Sequence, residues 1–197
     1  MRSSHLPELS IYIHAIYKHI YEQHKIMMNI LDGVKSADIK ISKEVKNLSD
    51  MVKDSSLTLV DRIESFEDII SIEVGDTSLN RARNLERTFD IRQLYIKYEG
   101  DNPSGTQKDR IAFAQVHDAI RRKYSIVSLA TCGNYGVAVS YACYLAGIKC
   151  TVFIPESYHT DRIREMERFE AEIVRLPGTY EDTVTESSRI ALNNNWY

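Results

Sequence analysis

The sequence YSIVSLATCGNYGVAVSYACYLAGIKCTVFIP, residues 124–155, predicts a strand, a loop containing glycine, a helix and a second strand. The runs 125–130 and 149–154 are short and apolar, as expected for buried strands, and residues 134–146 have the length of one helix. Residues 124–148 include no charged residue, but they hold more Ser, Thr, Asn and Gly than a membrane-spanning helix usually contains. We therefore expect a buried strand–helix–strand unit and no membrane segment.

The same alternation continues on both sides of this stretch. Upstream, an alternating strand pattern at residues 94–98 precedes a helical pattern at 109–124, and downstream a helix, a strand and a last helix follow at 161–171, 172–176 and 180–193. Strands and helices that alternate over short loops predict an α/β fold, an open parallel sheet with helices on both faces.

The residues before Ser71 have a different pattern and predict a helical N-terminal extension, residues 1–70, in front of a domain at 71–197. Two apolar stripes carry this prediction: Ile13, Ile16, Tyr17, Ile20, His24, Met27 and Leu31, and then Ile41, Val45, Leu48 and Val52. The extension either covers the next domain or binds a second copy or partner. His14, His19 and His24 follow one another in steps of five, which does not place metal ligands on one helix face.

Composition excludes several functional classes. The formal net charge of -3 gives no basic face for nucleic acid. The three cysteines are too few and odd in number for a disulfide framework, and the N-terminus lacks the apolar core of a signal peptide. A reduced, cytoplasmic location is therefore expected.

The stretch EGDNPSGTQKDR, residues 99–110, predicts a turn that leads into a helix with Lys108 in its first turn. Residues 102–105 suit a type I turn, and Thr106 with Asp109 resembles a capping box. The field at a helix N-terminus, together with burial, favours the neutral amine, which is a nucleophile able to form a Schiff base. The alternative is an exposed lysine that extends into water.

The loop ATCGNYG, residues 130–136, follows the 125–130 strand and precedes the next helix. Gly133 and Gly136 allow close approach of a ligand, and the N–H groups of 131–135 would form an anion site at the helix N-terminus. Asn134 can donate and accept hydrogen bonds. The sequence lacks both the Walker and the dinucleotide glycine motifs. The alternative is an ordinary strand-to-helix turn, with Cys132 as a small buried residue.

Together, NPSGTQKDR and ATCGNYG resemble the fold-type II pyridoxal-phosphate enzymes, the tryptophan synthase β-like group, and within it threonine synthase most closely. The segment SIEVGDTSLNRARNL, residues 71–85, is similar to the entry motif of that family. The resemblance covers residues 71–197 and implies pyridoxal 5'-phosphate as cofactor and a small amino-acid substrate.

The resemblance also implies roles for individual residues. Lys108 would form the Schiff base with the cofactor and then act as acid and base, and Asn134 would hydrogen-bond the ring hydroxyl of the cofactor. The substrate carboxylate would be held by Thr131, Cys132, Gly133 and Tyr135. The implied reaction converts O-phosphohomoserine to threonine and phosphate, with serine/threonine dehydratase or cysteine synthase as alternatives. A homodimer is a further implication, since family members are often dimers.

This sequence departs from the family pattern at several places. Ser78 occupies the usual position of proline in the entry motif, and Gln107 that of a phenylalanine frequent in threonine synthases. Gly178 is the only glycine after Gly147, so the glycine-rich phosphate loop of the family is not present. We therefore expect the front part of a longer enzyme or a remnant of one, with a non-catalytic fragment or partner-binding module as the alternative.

Overall fold

The computed structural model describes residues 39–131 and 133–197, and this part begins with two helices. Helix α1 spans Lys43–Lys53 and is capped by Ser42, while α2 spans Leu59–Glu73 and begins with a capping box at Thr58. Val45 and Val52 are fully buried, which confirms the second apolar stripe. The first stripe and His14, His19 and His24 lie outside the described residues.

A two-stranded antiparallel ribbon follows. Strand β1, Leu79–Arg81, pairs with β2, Tyr95–Lys97, and helix α3, Arg83–Phe89, connects them. The strand predicted at residues 94–98 is confirmed, but the prediction that it joins the parallel sheet was wrong. Its alternating pattern indicates a strand without specifying a partner, and here the Tyr98 N–H donates to the carbonyl of Ser78 at 2.9 Å in the local ribbon.

Within the described residues, the parallel sheet has three strands: β3, Ile126–Ala130; β4, Lys149–Pro155; and β5, Glu172–Leu176. Their order is β3-β4-β5, with β4 in the centre. The residues of β4 from Cys150 onward are all buried, so both faces of the central strand are covered. This confirms the predicted α/β fold with a parallel sheet.

The helices that follow β2 in the described residues are α4, Lys108–Arg121; α5, Asn134–Ala146; α6, Arg162–Arg168; and α7, Tyr180–Asn194. Helices α5 and α6 each connect two parallel strands, and right-handed crossovers put both on the same face. Helix α7 returns from β5 to pack on β3 and β4, and covers the opposite face. All these elements lie within a few residues of their predicted bounds.

The core is centred on α5, which packs against α4 and α6. Phe113 of α4 stacks on Phe66 of α2 with a centroid distance of 5.9 Å, and meets the edge of Tyr141 of α5 at 5.8 Å. The Ser49 hydroxyl of α1 donates to the carbonyl of Leu145 at 2.7 Å. Helices α1 and α2 therefore cover α4 and α5. Residues 41–197 form one compact unit.

Among the described residues, the helices are too short or too polar for any of them to cross a lipid bilayer.

Replacing Glu170 with glycine is expected to raise the free energy of unfolding by about 0.5–1 kcal/mol, measured by urea denaturation. Glu170 follows the end of α6 with a φ of 62°, a left-handed conformation that glycine adopts without strain. Gly147 already occupies the same kind of position after α5, with a φ of 67°. As a control, Glu167→Gly inside α6 should lower the stability by about 1 kcal/mol. An unchanged or lower stability of Glu170→Gly would contradict the expectation.

Candidate active site

Lys108 is the first residue of α4, so its predicted place at a helix start is confirmed. Its N–H donates to the hydroxyl of Thr106 at 3.2 Å, and its side chain is exposed to solvent. The predicted turn before it is also confirmed, since the N–H of Gly105 donates to the carbonyl of Asn102 at 2.8 Å. The burial expected at Lys108 is therefore not observed, and the structure instead presents an exposed amine at the beginning of a helix.

The predicted capping box forms only in part, because the Thr106 hydroxyl accepts from the N–H of Lys108 and not from that of Asp109. Gln107 precedes the helix and makes no capping hydrogen bond through its side chain. The carboxylate of Asp109 instead accepts from the N–H and the hydroxyl of Ser104, at 3.1 and 2.8 Å. Asp109 is fully buried, and this burial raises the pKa of its carboxyl. Packing of the turn onto α4 brings Ser104 within reach, and Asp109 therefore holds the turn in addition to its hydrogen bond with the Thr106 backbone.

A second group of contacts, which we call the loop clamp, joins Glu99, Asn102, Thr77 and Arg110 to the backbone of Gly75. The Arg110 guanidinium donates to both carboxylate oxygens of Glu99, at 2.8 and 3.0 Å, and also to the carbonyl of Gly75 and the hydroxyl of Thr77, both at 3.1 Å. The amide of Asn102 donates to the Glu99 carboxylate at 3.0 Å and accepts from the N–H of Gly75 at 3.1 Å. The clamp ties the lysine-bearing loop to the segment before β1.

The loop clamp contains a strongly stabilised carboxylate. Hydrogen bonding from Arg110 lowers the pKa of Glu99 to about 2, with Asn102 and Thr77 acting in the same direction. Such a network of charge-assisted, two-pronged hydrogen bonds is stronger than an ordinary surface ion pair. Sequence analysis did not single out Glu99 or Arg110, because a charged residue near a turn or a helix start does not indicate which distant residue it pairs with.

Replacing Glu99 with glutamine is expected to make the free energy of unfolding fall less steeply as the pH is lowered. The pKa of Glu99 is lowered in the folded state, so its contribution is present above its ordinary value of 4.5 and disappears as pH falls toward about 2. Unfolding free energies of the wild type and Glu99→Gln should therefore converge between these pH values. Parallel stability curves through this window would contradict the prediction.

The second predicted loop, between β3 and α5, carries the remaining candidate residues. The N–H groups of Gly136 and Val137 donate to the carbonyl of Gly133, at 2.9 and 3.4 Å, so α5 starts at the predicted residue. Asn134 is exposed, and a side-chain carbon added at Gly133 would have no neighbour within 4 Å. The helix start therefore faces open space that a ligand could occupy.

Two of the predicted site residues have other contacts. Thr131 is buried, and its N–H donates to the carbonyl of Phe153 at 3.2 Å, so this N–H serves the sheet rather than an anion site. The Tyr135 hydroxyl donates to Gln115 of α4, and burial raises its pKa to about 12. Cys132 lies outside the described residues.

The contact between Tyr135 and Gln115 relates the two loops. Gln115 follows Lys108 by seven residues, which places both on one face of α4, about 10.5 Å apart along the helix axis. The hydrogen bond therefore fixes the start of α5 against the same helix that carries Lys108. Gln115 was missed by sequence analysis, since a polar residue within an amphipathic helix has no distinguishing signal.

Comparison with known proteins assigns the chain to a family. A family model described as pyridoxal-phosphate dependent enzyme matches residues 70–197. The chain is 30% identical to threonine synthase of Methanocaldococcus jannaschii over 124 residues, 62% of this chain and 31% of that protein. It is 33% identical to cysteine synthase of a Flavobacterium species over 108 residues, 53% of this chain and 34% of that protein.

Among solved structures, cysteine synthase from Entamoeba histolytica aligns with a TM-score of 0.57 and 24% identity, and covers 64% of this chain and 40% of that one. The chain spans about a third of the length of the two curated relatives named above. Since the family model covers well over half of this chain, and the fold agrees, the chain belongs to the family of pyridoxal-phosphate-dependent enzymes.

Proposed function

We propose that the chain supplies the lysine-bearing part of a pyridoxal-phosphate-dependent enzyme of the threonine synthase type, which converts O-phosphohomoserine to threonine and phosphate. The observation that carries the proposal is the position of Lys108, an exposed amine on the first residue of α4 whose preceding loop is held by the loop clamp. The match with threonine synthase supports the choice of reaction because it covers 62% of this chain, against 53% for the match with cysteine synthase.

The residues present fit part of the cofactor and substrate chemistry. Lys108 offers the primary amine that the cofactor aldehyde requires. The first N–H groups of α5, a helix of 13 residues, lie beside the open space at Gly133 and suit a carboxylate. The exposed amide of Asn134 can hydrogen-bond a ring hydroxyl. A glycine-rich phosphate loop would have to come from elsewhere, because Gly178 is the only glycine after Gly147.

The proposal gives a role to Lys108, to Asn134, to Tyr135 and to the N–H groups at the start of α5. The cofactor, when bound, supplies an electron sink for a substrate carbanion. Lys108 would hold the cofactor through its Nζ and would move a proton at the same atom. Asn134 would orient the ring, and the N–H groups at the start of α5 would orient the substrate carboxylate. Tyr135 keeps the start of α5 against α4 through its contact with Gln115.

Cysteine synthesis from a serine derivative and sulfide is the second candidate reaction. The identity with cysteine synthase, 33%, is slightly higher than that with threonine synthase, 30%. Gln107 also occupies a position where a phenylalanine is frequent in threonine synthases, which weakens the case for that substrate. Threonine formation from O-phosphohomoserine, but no cysteine formation in the presence of sulfide, would favour the first candidate.

The proposal is tested by adding pyridoxal phosphate to the full chain, reducing with borohydride and mapping the modified peptides. Lys108 is expected to be modified in preference to Lys123 and Lys149, which are also exposed. Lys108→Arg should lose the specific adduct, because a guanidinium does not form the bond, while Lys123→Arg should keep it. Equal modification of the three lysines would overturn the proposed role of Lys108 and favour a non-catalytic fragment or binding module.

A further inference from the structure

Arg110 connects three separate segments of the chain from a position two residues after Lys108. Its guanidinium lies in the first turn of α4 and grips the carboxylate of Glu99 with Nε and Nη2. The same Nη2 reaches the carbonyl of Gly75 and the hydroxyl of Thr77, which precede β1. The Arg110 guanidinium therefore connects the start of α4, the turn after β2 and the segment before β1.

The clamp also fits tightly around this cation. A side-chain carbon added at Gly75 would lie 2.9 Å from Nη1 of Arg110, and Gly75 has a φ of 97°, so this position accommodates little but glycine. Asn102 is only 3% exposed, and both ends of its amide are hydrogen-bonded within the clamp. The loop that leads to Lys108 is thus anchored at residues 99 and 102 and again, through Ser104 and Asp109, at its far end.

The ion pair is partly exposed, with 41% of the Arg110 side chain and 28% of the Glu99 side chain accessible. Isolated exposed pairs contribute little to global stability, whereas two-pronged pairs within a network restrict local geometry. Its main effect is therefore expected in the loop and at the helix start rather than in the core of the domain.

We infer that Glu99 and Arg110 act as a positioning pair for Lys108. Neither side chain is assigned to the reacting atoms; the pair restricts the loop and the first turn of α4, and so sets where the Lys108 amine meets an aldehyde. The inference rests on the proposed function, since it assigns a cause to the reactivity of Lys108. A displacement of about 1 Å can reduce the rate of such a reaction on the order of 100-fold.

The test compares Arg110→Gln, Glu99→Gln and the double variant with the wild type, using the full chain in each case. Pyridoxal phosphate and borohydride label the chains, and modification of Lys108 is measured relative to Lys123 in the same digest. Each single variant is expected to reduce this ratio at least about tenfold, because the loop and the helix start that carry Lys108 are no longer held in place. The double variant should lose no more than either single one, since both act through one contact.

Hydrogen exchange on the same variants provides a readout that does not depend on the cofactor. Amides of residues 99–107 are expected to exchange faster in the variants, while those of β4 keep their protection and show that the domain remains folded. Arg110→Lys keeps the positive charge but cannot make the two-pronged contact with Glu99. It is expected to show a labelling ratio between those of Arg110→Gln and the wild type.

A matched control lies on α7. Arg189 makes a two-pronged ion pair with Glu186, at 2.8 and 2.6 Å, on a different helix. Arg189→Gln therefore removes the same chemistry elsewhere and should leave the labelling ratio at Lys108 unchanged.

The outcomes separate this inference from the proposed function. If the wild type labels Lys108 preferentially and the clamp variants do so equally well, the positioning role is overturned and the proposed function stands. The positioning role is also overturned if the loop amides of the variants exchange faster while the labelling ratio of Lys108 to Lys123 stays unchanged. The clamp would then stabilise the loop without affecting the reactivity of Lys108. If the wild type shows no preference for Lys108, the proposed function is overturned and the positioning role with it.

Discussion

Replacing Phe113 with alanine is expected to lower the free energy of unfolding by about 3–5 kcal/mol, the range observed for large aromatic side chains removed from a core. Phe113 is fully buried and joins three helices, since it stacks on Phe66 of α2 and contacts the edge of Tyr141 of α5. Truncation leaves a cavity between them that the helices fill only in part. Urea denaturation, followed by circular dichroism, measures the change.

Ile111, two residues earlier on α4, provides the control because half of its side chain is accessible. Ile111→Ala is expected to change the stability by no more than about 0.5 kcal/mol. A loss at Phe113 as small as that at Ile111 would mean that α2 does not cover α4, and the N-terminal helices would then need another partner.

Gly136→Val is the second substitution with a large expected effect, a loss of about 3 kcal/mol of stability through overpacking. A side-chain carbon at Gly136 would lie 2.6 Å from Cε of Met166 and 2.8 Å from Cγ2 of Thr131. Met166 is fully buried, and the β-branched side chain of Thr131 has few rotamers to which it can move. The start of α5 would have to shift away from α6 and from the end of β3.

Gly133→Ala is the matched control in the same loop. A side-chain carbon at Gly133 meets no atom within 4 Å, and its φ of -159° lies outside the left-handed region that favours glycine, so stability should change by no more than about 0.5 kcal/mol. The two substitutions thus distinguish a glycine required by packing from one that faces open space. Equal losses at the two positions, measured by urea denaturation, would contradict this distinction.

Much of the fold follows from local sequence patterns. The apolar run at 125–130, the helix at 134–146 and the run at 149–154 appear as β3, α5 and β4 with nearly the expected bounds. Each is recognisable because its hydrophobic period reflects burial of that segment alone. The position of Lys108 at a helix start follows for a similar reason, since turn and helix preferences act within a few residues.

The pairing of β2 was not predictable in the same way. An alternating pattern indicates an extended segment with a buried or half-buried face, but it has no information on which strand lies alongside. Tyr95 stands opposite Arg81 in the ribbon, and all residues of both strands are exposed in the described part of the chain. The parallel sheet expected from the alternation of elements therefore lacks this strand.

By itself, the sequence determined the order and type of the strands and α-helices from β2 onward, and it placed an amine and a glycine–asparagine loop at two helix starts. The tertiary structure alone decided that Asp109 holds Ser104, that Tyr135 faces Gln115, and that Arg110 reaches Gly75 across 35 positions of sequence. Local preferences arise from contacts within one turn or strand, whereas the partner of a polar side chain depends on which distant segments packing brings within about 3 Å.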